Sequence, residues 1–333
     1  MKTPLKIASI LTLLWLMAGG TESVDAQTLL EVDRNKKPQR QQTKFLKLLK
    51  DAAGNPTALQ TSITRYESKR DGVLVDLVGA VHIGERKYYQ QLNKQLGQYD
   101  VVLYELVAPK GTRIPTGGRK SGGGGNPLSW MQGSMKSMLG LESQLERIDY
   151  QSRNFVHADL SPKELSEKMS ERGDSMLTVA LSAFSDMMRQ QNLAANSSDN
   201  NPAAQMGLGD IMELMQNPLE LKRMMASQFT AGGAMEMGLG KKLNQLIVVD
   251  RNKAALKELK SQLRKGQKRI AIFYGAAHMP DFEEHLVADF DLKKTQHVWV
   301  NAWDLTKAPR NNQASEFSEL GSMFMNLLES LDR

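Results

Sequence analysis

The chain has 333 residues, enough for one large domain or two modest ones, and its 41% hydrophobic and 24% charged residues suit an ordinary folded protein. The absence of cysteine excludes disulfides, thiolate zinc sites, a cysteine nucleophile and a lipid-bearing N-terminal cysteine. The formal net charge is +6, but the basic residues lack interleaved aromatics, which argues against a nucleic-acid surface.

Lys2 and Lys6, the apolar run Ile7 to Met17 and then Val24-Asp25-Ala26 have the order of a secretory signal peptide over residues 1–26. The run is shorter than the about 20 residues that a membrane span needs. The mature protein is therefore expected to begin near Gln27 and to be exported, to a periplasm or the extracellular space. Residues 27–57 form a basic N-terminal segment. From Arg34 through Lys36, Lys37, Arg40, Lys44 and Lys47 to Lys50 there is no acid. Such a stretch either contacts an anionic membrane or cell-wall polymer or is a solvated arm leading into a short amphipathic helix.

Residues 58–333 follow an α/β pattern. Leu59 to Tyr66 and Val73 to Val78 read as strands joined by a turn at Asp71-Gly72. Glu85 to Leu96 carries Tyr88, Leu92 and Leu96 on one helical stripe, and Asp100 to Leu106 reads as a buried strand. Strand, helix and strand at this spacing make a βαβ unit. The Gly- and Ser-rich stretch from Gly111 to Pro127 fails the phosphate-loop pattern, since Arg119 separates glycine from Lys120. It reads as a flexible loop, placed just after Glu105 as a lid over the crevice.

From about 127 to 240 the pattern is a Met-rich helical insertion. Ser161-Pro162-Lys163-Glu164 and Asn217-Pro218 open helices, and residues 196–202 form a polar linker. The methionines are either core filler or a pliable groove for peptides or lipids. The α/β pattern resumes at Leu246-Ile247-Val248-Val249. It continues as a helix from Asn252 to Lys265 stopped by Gly266, a strand from Ile270 to Tyr274, and a helix carrying Phe282, Leu286 and Phe290. Val298-Trp299-Val300 reads as a further strand, and residues 314–331 as an amphipathic tail. The fold expected is a single α/β domain, with a central mostly parallel sheet flanked by helices and interrupted by the insertion.

The chain holds five histidines, and two of them end the same motif in the same setting. Gly79-Ala80-Val81-His82 follows one apolar strand and Gly275-Ala276-Ala277-His278 another. A strand that stops at glycine and then presents histidine delivers an imidazole to the carboxyl-end crevice of an α/β sheet, where ligands sit. Glu105 ends its own strand in the same way. Two imidazoles and a carboxylate can bind zinc, manganese, cobalt or iron and leave positions open for water and substrate. The alternative is structural, with the histidines bonding backbone and Glu105 pairing with an arginine. His157, in Asn154 to Asp159, lies on a strand-like stretch, either as a third imidazole or as a structural residue. His285 sits on the helix after His278, turned away from the crevice.

The elements Gly79-Ala-Val-His82, Tyr104-Glu105, Arg251-Asn252 ahead of a helix, and Gly275-Ala-Ala-His278-Met-Pro resemble the TraB/PrgY/GumN/TIKI family in order and approximate spacing. The resemblance covers about residues 73–290 and is weakest in the insertion. It implies relation in fold to erythromycin esterases and ChaN-type haem-binding proteins. It also implies a divalent-metal-dependent hydrolase acting on peptide or protein substrates, with His82, Glu105 and His278 as metal-binding and reactive residues. Arg251 matches the family's arginine, and either binds a substrate carboxylate or an oxyanion or makes a structural salt bridge. The alternatives to metal-dependent hydrolysis are a peptide- or haem-sequestering protein and a metal-independent His/Glu hydrolase. One departure is Asp281, where relatives have glycine; it is expected to cap the following helix.

Overall fold

The computed structural model describes residues 44–115, 117, 139–174, 217–231 and 244–308. The signal-like segment, the basic arm before Lys44, most of the Gly-rich loop, the polar linker and the amphipathic tail lie outside them.

Two long strands set the frame. β1 (Leu46–Lys50) and β3 (Leu74–Ala80) lie end to end along one edge of β2 (Pro56–Glu67), both antiparallel to it. After the two-residue β4 (Ile83–Gly84) come α1 (Arg86–Leu96) and β5 (Val101–Tyr104). A short excursion follows, with β6 (Glu142–Ser143) paired to β4 and the one-turn α2 (Gln144–Arg147). β7 (Phe155–His157) then leads to α3 (Pro162–Glu171) and α4 (Pro218–Ala231). The chain continues with α5 (Asp250–Arg264), β8 (Arg269–Gly275), a 3₁₀ turn (Ala276–His278), α6 (Met279–Ala288) and β9 (Lys293–Asp304).

The sheet is mixed, and its middle is parallel. β3, β8, β5 and β7 stand side by side in that order, with Ala80 opposite Gly275, Tyr104 opposite Phe273, and Tyr104 opposite His157 on its other side. β9 runs antiparallel along the other edge of β2. The protein is therefore an α/β domain whose mostly parallel central sheet is flanked by helices. Burial on both faces explains the unbroken apolar runs. Ile270 to Gly275 and Val101 to Tyr104 are buried throughout. On one face α1 packs Tyr88, Tyr89, Leu92 and Leu96 against Val78, Val102 and Phe273. On the other, Leu256 and Leu259 of α5 and Phe282 and Leu286 of α6 cover Val75, Leu77, Ile270 and Ile272. Each such side chain contributes roughly 1.5–3 kcal/mol by leaving water.

Helix starts follow the local chemistry. Ser161 accepts from the Glu164 amide while the Glu164 carboxylate takes the Ser161 amide, a complete capping box with Pro162 at the first position. Asn217 accepts from the Glu220 amide at the start of α4. Lys222 of α4 is buried and reaches Glu85 at 2.6 Å, tying that helix to the start of α1. Met169 and Met225 are both buried, as core filler would be.

Three expectations change. The basic arm leads into a strand, not an amphipathic helix. Asp51 takes the amides of Ala53 and Asn55 in a turn that folds β1 back on β2. Phe45 then packs on one sheet face and Leu46 and Leu48 on the other, which is a two-residue period. Leu246 to Val249, apolar and β-branched, forms one π-helical turn (Gln245–Val249) running straight into α5. Finally, β7 lies inside the stretch read as a helical insertion and closes one edge of the central sheet.

Candidate functional site

Four neighbouring parallel strands each release a polar side chain at their carboxyl ends. His82 follows β3, His278 follows β8 through the 3₁₀ turn, Glu105 follows β5 and Asp159 follows β7. The first three meet. A methyl group built on Gly275 would lie 3.4 Å from Glu105 Oε2, 3.7 Å from His278 Cδ2 and 3.7 Å from His82 Nε2. His278 Nε2 stands 3.6 Å from Glu105 Oε1. The strand-end glycine thus keeps open the small volume that the three share.

Arg251 lies behind them. Its Nη2 donates to Glu105 Oε1 at 2.7 Å and to Asp159 Oδ2 at 2.6 Å, and its Nε donates to Asp159 Oδ1 at 3.0 Å. Nη1 reaches the Ile247 carbonyl at 3.4 Å, inside the π-helical turn. A wide turn of this kind commonly marks a functional position. The guanidinium side chain is 10% exposed and the Asp159 carboxylate 0%, so this is a desolvated ion pair. Arg251 is spent on these two carboxylates, which matches the salt-bridge alternative and leaves its side chain little to offer a substrate.

Glu105 is engaged as well, with one hydrogen bond to each oxygen. Its Oε2 accepts the Gly275 amide at 2.7 Å and its Oε1 accepts from Arg251. Burial opposes its ionisation, but the imidazoles of His278 and His82, the Arg251 guanidinium and the Gly275 amide outweigh it and hold its pKa down to about 2.

The tautomer of His278 follows from Asn252. The Asn252 amide donates through Nδ2 to the His278 carbonyl at 3.0 Å and to Asp281 Oδ2 at 2.8 Å, so its Oδ1 is the acceptor that faces the ring. His278 Nδ1, 2.7 Å from that Oδ1, must carry the hydrogen. Nε2 is left with a free lone pair directed at the side where Glu105 lies. Burial pushes the His278 pKa down to about 4; Glu105 pulls the other way and Arg251 reinforces the drop. Asp281 is thus no helix cap: its carboxylate serves Asn252, because the helix already begins at Met279. Tyr274 stacks edge-on behind the ring at 5.2 Å and donates to the Ala158 carbonyl.

Other neighbours build a wall. The Gln144 amide N–H donates to the His82 carbonyl, and its side chain donates to the Tyr150 hydroxyl at 2.8 Å. The Tyr150 ring packs 5.1 Å from that of Tyr104. His157 stays outside the cluster: its Nε2 donates to the Leu106 carbonyl at 2.6 Å, a structural role. His285 pairs with Asp289 on the surface of α6. Asp159, Gln144 and Tyr150 are the residues that sequence reasoning missed, while Asn252 enters it only as part of the Arg251-Asn252 motif, without a role of its own. Asp159 had a signal, since it sits two residues past the end of a fourth strand.

Two carboxylates against one guanidinium leave this buried cluster with one net negative charge, beside two imidazoles. That donor set suits a divalent cation chemically. As the side chains stand, no group of three or more His, Asp or Glu among the described residues is arranged to hold a metal ion.

The titrations give a measurable signature. Between pH 6.5 and 4 the unfolded chain protonates His278 while the folded chain does not, so stability is expected to fall on acidification through that window. The loss is on the order of 3 kcal/mol for a shift of this size. Glu105 adds in the same direction as pH falls from 4.5 towards 2. Urea unfolding in chelator over this range should show a slope that shrinks in His278→Gln.

No family model, curated protein or solved structure matches this chain.

Proposed function

We propose that this chain is an exported metal-dependent hydrolase acting on peptide bonds, with His82, Glu105 and His278 as its reactive centre. One observation carries the reading: two imidazoles and an ionised carboxylate, from segments far apart in sequence, share one small volume at the carboxyl edge of a parallel sheet. The motif resemblance to the TraB/PrgY/GumN/TIKI family supports it, as does the signal-like N-terminus.

Manganese, cobalt or zinc would be held through His82, His278 and Glu105, and the ion would supply Lewis acidity and lower the pKa of bound water towards neutrality. The chain's own residues do the rest. Asn252 fixes the His278 tautomer so that Nε2 offers its lone pair to the crevice. Arg251 keeps Glu105 ionised and aimed, and Asp159 keeps Arg251 in place. Glu105, with a second lone pair on each oxygen, can accept a proton from water. A second reading keeps hydrolysis without metal, with His278 and Glu105 as an acid–base pair. The engagement of both Glu105 oxygens by Arg251 and Gly275 favours it.

The test is elemental analysis of purified protein with turnover of a peptide library, with and without strong chelator. Bound or activating metal and chelator-sensitive turnover are expected. Turnover that survives chelation selects the metal-free reading, and absence of both metal and turnover overturns the hydrolase. His82→Ala separates enzyme from sequestering protein. An enzyme loses turnover at nearly constant substrate affinity, whereas a binder loses affinity alone.

A further inference from the structure

The outer face of α5 carries charge that no acid among the described residues pairs with. Lys253, Lys257, Lys260 and Arg264 are all exposed and recur at intervals of four, three and four residues, so they form one stripe about 16 Å long. They line a groove of 360 Å³ between α5 and α6, floored by Leu256 and Phe290. Among the described residues none of the four has an ion pair or hydrogen bond to an acid. The one acid lining the groove, Asp289, is already taken by His285 at 2.7 Å. Some surface cations elsewhere do find acids, such as Lys163 with Glu167, Arg223 with Glu220, and Arg269 with Asp100. Like charges at these helical spacings cost a few tenths of a kcal/mol per pair, so the stripe works against the helix that bears it.

We propose that this groove binds a linear phosphate-bearing polyanion, laid along α5. The four cations run in one line along the helix, and three of them are lysines, which meet phosphates as point charges. A bilayer surface fits it less well. Among the described residues the large exposed apolar side chains are Leu49, Val107, Leu145 and Val298, and none of them lies on α5 or α6 to enter lipid. Lys260 also rests over the Phe290 ring at 5.4 Å, which holds that ammonium at the groove floor.

The test is anisotropy of labelled inorganic polyphosphate with the full chain over a series of salt concentrations. In the double variant Lys257→Gln with Lys260→Gln, the log-affinity against log-salt slope should flatten by about 1.4, since each lost contact releases about 0.7 counterion. Affinity should fall about tenfold at moderate salt. The control pair Lys163→Gln with Lys168→Gln, on α3, should leave both unchanged. An unaltered slope in the α5 variant overturns the proposal. So does a loss seen only when Lys36 and Lys37 are neutralised, or capture by phosphatidylglycerol vesicles without polyphosphate binding.

Discussion

Asp159→Ala is expected to lower folding stability by about 3–5 kcal/mol, the cost of leaving a buried charge without its partner. Arg251 is the charge in question. It is 10% exposed, and it directs both Nε and Nη2 at an aspartate with no solvent contact. Glu105 alone cannot replace that bidentate grip, and Nη1 has only a long contact to a carbonyl. Urea unfolding reads the loss directly. The companion is Asp159→Ala with Arg251→Met and Glu105→Gln, which removes all three charges of the cluster and should recover part of the stability, because desolvated ion pairs gain little over apolar packing. A double-mutant cycle on Asp159 and Arg251 gives the coupling between those two residues. A loss under about 1 kcal/mol in the single variant would show that the guanidinium finds water, and that the cluster is looser than its distances imply.

Glu105→Gln should cost some stability, since its one acceptor oxygen cannot serve both the Gly275 amide and Arg251, but its main effect should be to stop the chemistry. The amide keeps the shape, and Arg251 retains its two bonds to Asp159. What disappears is the charge held ionised beside two imidazoles and the capacity to accept a proton. Loss of a positioned acid–base group costs about 10²–10⁴ in rate, so kcat should fall about a thousandfold with KM within a few-fold. A decrease under tenfold would remove Glu105 from the reacting groups and leave it as a strut between Arg251 and Gly275. Together the two variants split the cluster into an inner part that reacts and an outer part that supports.

The sequence displayed the inner part and hid the outer part, for a physical reason. His82, His278 and Glu105 each follow an unbroken apolar run, and a parallel strand buried on both faces leaves that trace. The support arises from contacts that no local pattern encodes. Asp159 follows a strand of three residues, too short to show a period. Asn252 looks like any polar residue at a helix start until β8 brings His278 against it. β1 escaped recognition because its five residues, Leu-Lys-Leu-Leu-Lys, suit a helix as well as a strand. The turn at Asp51 and pairing to β2 decide between them. The π-helical turn at Gln245–Val249 defeated the β-branched signal of its own residues, since tertiary packing around Leu246 and Val248 outweighs propensity.

The position of β8 bears on when the three side chains can first meet. It is the last of the four parallel strands to leave the ribosome, yet it belongs between β3 and β5, which have no bonds to each other. Until it slots in, the two earlier strands stand apart, His82 and Glu105 face a gap, and the second imidazole is still unmade. A polypeptide halfway through synthesis therefore cannot bring His82, Glu105 and His278 together. The cluster can be completed only late, once the chain through β8 and the turn after it is available.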